Sequence, residues 1–162
     1  MEFKPIRRLR GRRCLREDQA VLRAVLECAE LAVVACGSDG RLSHSSRRAR
    51  ELFESRCPAG LAPESWIGAL QPRTPSGVPM AFEDLPPVRA LQGEVLRGVE
   101  VRVAIAGRDV LLNTAARPVE DDRGRRLGAV VVLEDVTRQR RWEAQLREGR
   151  GLRDDAAGAS PR

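Results

Sequence analysis

The stretch from Gly98 to Val136 constrains the fold of this chain more than any other. Three strand-sized runs stand here, Gly98–Ile105, Val110–Val119 and Arg126–Val136. They are parted by Ala106-Gly-Arg-Asp109 and by the polar Asp121-Asp-Arg-Gly-Arg125. In the first run Val101, Val103 and Ile105 alternate with Glu100 and Arg102, the period of a strand with one buried face. Links this short join antiparallel neighbours, because a parallel pair needs a crossover of about a dozen residues. An antiparallel meander follows. The third run adds a demand, since Leu127, Ala129, Val131 and Leu133 share one face while Val130 and Val132 make the other apolar too. Something has to cover that second face, either a helix predicted over 17–30 or another subunit.

The segments before the meander supply the rest of a small α+β domain. From Glu17 to Glu30, Val21, Leu22, Val25, Leu26 and Ala29 recur at helical spacing, which predicts an amphipathic helix. Leu31–Cys36 and Arg41–Ser45 read as strands joined by a turn around Asp39-Gly40. Ser46–Phe53 reads as helix, Glu54–Ala81 as loop with a short helix at Trp66–Leu70, and Leu85–Gly93 as a helix with prolines in its first turn. Thr137–Glu148 is predicted as a last helix, with Trp142 and Leu146 on one side, and 149–162 as a disordered polar tail. Thr137 is expected to cap this helix by accepting from an amide of its first turn.

Charge and composition exclude several function classes. The 162 residues have a net charge of +6, and residues 1–16 hold all of it: Lys4, Arg7, Arg8, Arg10, Arg12, Arg13 and Arg16 face Glu2 alone. Residues 1–16 are thus expected to form a flexible basic arm beside a neutral domain spanning 17–148. Such an arm can meet phosphates, or an anionic membrane surface, by charge alone. It can equally be an extension without a role. Aromatics are 3% of the chain, so a stacking surface for single-stranded nucleic acid has almost nothing to be built from. Cys14, Cys28, Cys36 and Cys57 form no Cys-x-x-Cys pair, and His44 is the only histidine, so no zinc site of ordinary spacing is available. No apolar run approaches the roughly 20 residues of a membrane span. A cytoplasmic, reducing location with free thiols is expected. Hydrolase elbows, phosphate loops and zinc-protease helices are absent from the sequence, and an enzyme is not expected.

Three strings, in order, resemble the PAS domain family over about residues 19–148. Asp39-Gly-Arg-Leu-Ser-His-Ser-Ser-Arg-Arg-Ala-Arg-Glu-Leu-Phe53 looks like that family's first hairpin and helix. Phe82-Glu-Asp-Leu-Pro-Pro-Val-Arg-Ala-Leu-Gln-Gly-Glu94 is similar to the helix before its meander, and Leu127-Gly-Ala-Val-Val-Val-Leu-Glu-Asp-Val-Thr137 to its last strand with the closing Asp-x-Thr. The resemblance implies a five-stranded antiparallel sheet with short helices on one face, flanked by an N-terminal amphipathic helix and an exit helix. It implies a sensory or protein-interaction module whose Asp135 and Thr137 tie the sheet to its output.

On that reading the inward faces give candidate pocket residues: Val34, Leu52, Ile67, Val88, Leu91, Val101, Val103, Ile105, Leu112, Thr114, Ala129 and Val131. The outer sheet face and the first helix, through Val130, Val132, Leu22, Val25 and Leu26, are the candidate interface for a homodimer or a partner signalling protein. The cofactor is not determined. The family's Asn after the second strand is here replaced by Ser45 beside His44. Cys57 does not match the reactive cysteine of flavin photosensors, and 85–93 lacks the histidine of haem-binding members, so flavin and haem are disfavoured. Two alternatives stay open: a regulator touching nucleic acid through Arg7, Arg8, Arg10, Arg12 and Arg13, and a piece of a larger signalling kinase or phosphatase.

Overall fold

The computed structural model describes residues 7–54 and 57–157, with side chains described for 17–54 and 57–147. Eleven elements run in the order α1 (Arg7–Cys28), β1 (Ala32–Gly37), β2 (Leu42–Ser45), α2 (Arg47–Phe53), α3 (Ser65–Leu70), a 3₁₀ turn (Phe82–Asp84), α4 (Pro86–Leu91), β3 (Leu96–Ile105), β4 (Arg108–Glu120), β5 (Arg126–Asp135) and α5 (Thr137–Ala157). The sheet order is β2-β1-β5-β4-β3, with every neighbouring pair antiparallel. The meander predicted from 98–136 forms one side of this sheet, and the β1–β2 hairpin joins it along β5.

Turn chemistry explains the strand ends. Ala106 and Gly107 both have positive φ, the two-residue turn that matches the twist of paired strands. At the β4–β5 turn the Asp121 carboxylate accepts from the amides of Arg123 and Arg125 and from the Arg125 side chain. Those bonds hold its pKa below the ordinary carboxylate range, led by the Arg125 amide. Asp121 is therefore a turn organiser, as its position in a Gly-containing turn implies. β3 starts two residues earlier than predicted, because a bulge with Gly98 at positive φ lets Leu96 join the ladder.

The long helices exceed their predicted bounds. The helical backbone of α1 begins at Arg7, inside the stretch assigned to a flexible arm, and that of α5 continues to Ala157, inside the predicted tail. Arginine, leucine and glutamate favour helix, and the internal glycines cost only about 1 kcal/mol each. Residues 1–6 and 158–162 of those two segments lie outside the described residues. The arm's Arg7, Arg8, Arg10, Arg12 and Arg13 fall on the first turns of α1.

Two buried clusters form the core between the sheet and α2, α3 and α4. One gathers Cys36, Trp66, Leu85, Val88, Ala90, Leu96, Ala116, Ala129 and Val131. The other gathers Ala32, Ala49, Phe53, Val101, Val103, Ile105, Val110 and Leu112. Val34, Met80, Val99 and Leu133 touch both. Ser46, fully buried, ties α2 to β1: its Oγ accepts from the amides of Ala49 and Val33 and donates to the Leu31 carbonyl. It is Ser46, not Ser45, that follows β2 and caps the helix. Ser46→Ala removes the cap and strands a buried amide, so thermal or urea unfolding should show a loss of about 2 kcal/mol.

Candidate functional site

Between the two clusters lies a cavity of about 100 Å³. Its sheet wall comes from Val34, Cys36, Val101, Val103, Leu112, Thr114, Val131 and Leu133, and its helical wall from Phe53, Trp66, Leu70, Leu85, Pro86 and Pro87. Most of the sheet wall is Val, Cys and Thr, with Leu112 and Leu133 its larger members. Few aromatics are available to reach across from the helices, so the two walls do not close the gap.

Of the predicted pocket residues, Val34, Val101, Val103, Leu112, Thr114 and Val131 line this cavity. Leu52, Ile67, Val88, Leu91, Ile105 and Ala129 do not; they belong to the surrounding core or pack on its margin. Ile105 and Ala129 sit at the ends of the inward strand faces, beyond the gap, and are completely buried. Cys36 and Leu133 were legible from the alternation through Val34 and Val131. Phe53, Trp66 and the prolines were not, since their seating depends on how α2, α3 and α4 turn over the sheet.

The cavity is almost wholly apolar. Cys57 borders it, and burial pushes its thiol up to about 11; burial likewise raises Cys36, whose Sγ lies 3.7 Å from the Ala129 carbonyl oxygen. Both thiols stay protonated and poorly nucleophilic. Thr114 is the exception. It is 2% exposed, and its Oγ1 has no hydrogen-bond partner. An orphaned buried hydroxyl costs about 1–3 kcal/mol. Among the described residues no group of three or more His, Cys, Asp or Glu side chains could hold a metal ion, and His44 is exposed on β2 against Ser43.

The second feature is the root of α5. Asp135 Oδ1 accepts from the Thr137 amide at 3.0 Å. The Thr137 hydroxyl is not the expected helix cap: its Oγ1 accepts from the Leu111 amide on β4 at 2.9 Å, and the Val136 amide donates to the Leu111 carbonyl at 3.0 Å. The sequence could not show this, because the helix start and Leu111 meet only once the strands pair. One turn on, Arg140 pairs with Glu100 of β3 at 2.6 Å and with Glu143 at 2.7 Å. The base of the exit helix is thereby held to two strands of the sheet.

The third feature is unpaired apolar surface. α1 does not cover the outer face of the sheet. Glu27 near its end meets α2, where its carboxylate pairs with Arg50 at 2.7 Å. Val21, Leu22 and Val25 remain 64%, 48% and 58% exposed. Leu26 is half-buried. On the sheet, Val33 of β1, Val132 of β5 and Ala115 of β4 stand side by side, and Ala35 stands beside Val130. All five are only partly buried. Each surface is what the other lacks.

These features sit in a recognisable framework. The chain is 33% identical over 125 residues to the alginate biosynthesis sensor protein KinB of Pseudomonas aeruginosa, covering 75% of this chain and 19% of that protein. It thus spans about a fifth of that relative's length. Its fold resembles the PAS domain of nitrogen regulation protein NR(II) from Vibrio parahaemolyticus, with TM-score 0.52, 18% identity, and coverage of 71% of this chain and 97% of that one. It also resembles the PAS domain of BvgS from Bordetella pertussis, with TM-score 0.53, 14% identity, and coverage of 85% and 98%. The family model of the PAS fold matches residues 26–141, and the chain belongs to the PAS family.

Proposed function

We propose that this chain is a non-catalytic sensory module that takes a small ligand into its cavity and passes occupancy to α5. One observation carries the reading: β4 and β5 contribute Leu112, Thr114, Val131 and Leu133 to the cavity wall, and Leu111 of β4 and Asp135 of β5 both bond Thr137 at the root of the exit helix. Leu111 and Leu112 are adjacent, one at the helix root and one at the cavity. A displacement of the inner wall moves the amide that Thr137 binds. The likeness to a sensor protein supports the same direction.

The output surface on this reading is a second copy of the chain. A helix with an exposed apolar stripe and a sheet with an exposed apolar face satisfy each other when the α1 of one copy lies on the sheet of its partner. Free Cys28, Cys36 and Cys57 fit a reducing, cytoplasmic setting. No helix among the described residues is long and apolar enough to cross a membrane.

Amide hydrogen exchange tests the relay. Thr137→Val leaves the Leu111 amide without its acceptor, at a cost of about 1–3 kcal/mol. Exchange at Leu111 and Arg140 should then accelerate about tenfold or more. In the wild-type protein, saturation of the cavity with xenon should change protection across 136–140, and in Thr137→Val that response should vanish. Unaltered protection in xenon-saturated wild type would rule out the relay.

A further inference from the structure

Resting on the reading of the cavity as a ligand site, the geometry points to the class of ligand: a small, neutral, aliphatic molecule bearing one hydroxyl or carbonyl group, which bonds to Thr114 Oγ1. The cavity, at about 100 Å³, is smaller than an apolar cavity of about 150 Å³ that accepts benzene. Flavin and haem are far too large for it. Its walls contain no charged side chain, so a carboxylate or phosphate would enter without a counter-ion. Besides the two protonated thiols and the indole N–H of Trp66, which can only donate, the polar side-chain group on the lining is the Thr114 hydroxyl, and its Oγ1 is buried and unpartnered. A hydroxyl can donate or accept, so an alcohol and a ketone are both suited.

Water does not fit the site as well. A buried water is held by about three hydrogen bonds, and here the lining offers at most two strong side-chain partners, the Thr114 hydroxyl and the Trp66 indole N–H. A molecule with one polar end and an apolar remainder matches both the single orphaned hydroxyl and the apolar wall. Specificity on this account comes from the penalty a pure hydrocarbon suffers by leaving Thr114 unpaired.

The test is a cycle on the full chain with n-butanol and n-butyl chloride, which have the same shape and differ in one hydrogen-bonding group. Binding is followed by shifts of the Leu112, Thr114 and Val131 amides. Thr114→Val keeps the side-chain shape and removes the hydroxyl; Thr114→Ser keeps the hydroxyl. The ratio of n-butanol to n-butyl chloride affinity should fall about tenfold in Thr114→Val, equivalent to about 1.4 kcal/mol, and stay near wild type in Thr114→Ser. Propionate should not shift these amides. An equal ratio in all three proteins, with both probes bound, would overturn the role of Thr114 and leave the cavity as a ligand site. Propionate binding as well as n-butanol would overturn the neutral class. If neither neutral probe shifts the lining in any of the three proteins, the cavity is not a ligand site and the functional reading falls with it.

Discussion

Replacing Gly128 by alanine is expected to be the most destabilising single methyl addition in this domain. Gly128 sits in β5 opposite Gly37, and a methyl group there would run into the Cys36 carbonyl oxygen and press on the Gly37 Cα. Both obstacles are backbone atoms in a paired strand, so neither can swing aside as a side chain would. The β1–β5 ladder must separate or shift, and Cys36 and Val34 on the cavity wall belong to that ladder. The expected cost is about 3 kcal/mol or more, above the usual range for an overpacked core. That is a large part of a typical domain's 5–15 kcal/mol. Urea unfolding of Gly128→Ala against Gly68→Ala isolates the effect. Gly68 lies within α3 with nothing near its added methyl, so its replacement should stabilise by up to about 1 kcal/mol. Equal midpoints for the two variants would show that β1 and β5 are not held this closely.

The second large effect concerns assembly. Val25→Glu and Val132→Arg each place a charge on one of the two unpaired apolar surfaces. In a dimer with α1 of one copy on the sheet of the other, either charge is buried without a partner, at about 3–5 kcal/mol. Sedimentation should show each single variant as monomer at concentrations where the wild type is dimeric, with self-association weakened at least about a hundredfold. Combining the two should recover part of the loss, since the carboxylate and guanidinium then face each other across the interface. Recovery separates helix-on-sheet packing from helix-on-helix packing, in which Val132→Arg would be neutral. Dimers that tolerate both single variants would remove this face from consideration.

The meander, the first hairpin and each short helix were legible because their signals are local. Alternation over Val101, Val103 and Ile105, the Asp39-Gly40 turn and the prolines ahead of Val88 need only neighbouring residues to act. The apolar second face of β5 was legible for the same reason, through Val130 and Val132. What covers it was not. The sequence left α1 and a second subunit as alternatives, and the structure shows α1 meeting α2 with its stripe exposed. The candidate site was half legible: strand alternation found the sheet wall, while the helical wall of Phe53, Trp66 and Leu85 depends on how three short helices cross the sheet.

Thr137 and Thr114 show the division most sharply. Their residue types and positions are set by the chain, but the partners of their hydroxyls are not. A threonine before a helix favours capping, yet pairing of β4 with β5 brings the Leu111 amide to Thr137 and turns a cap into a link between sheet and helix. Strand alternation already places Thr114 on the inward face, but only the pairing of β4 shows that the wall there holds no partner for its hydroxyl. By itself the sequence determined an antiparallel α+β domain, its order of elements and its apolar faces, because periodicity and turn chemistry act over a few residues. Only the tertiary structure decided which hydroxyl became a link and which an orphan, because hydrogen-bond partners distant in sequence are set by strand register.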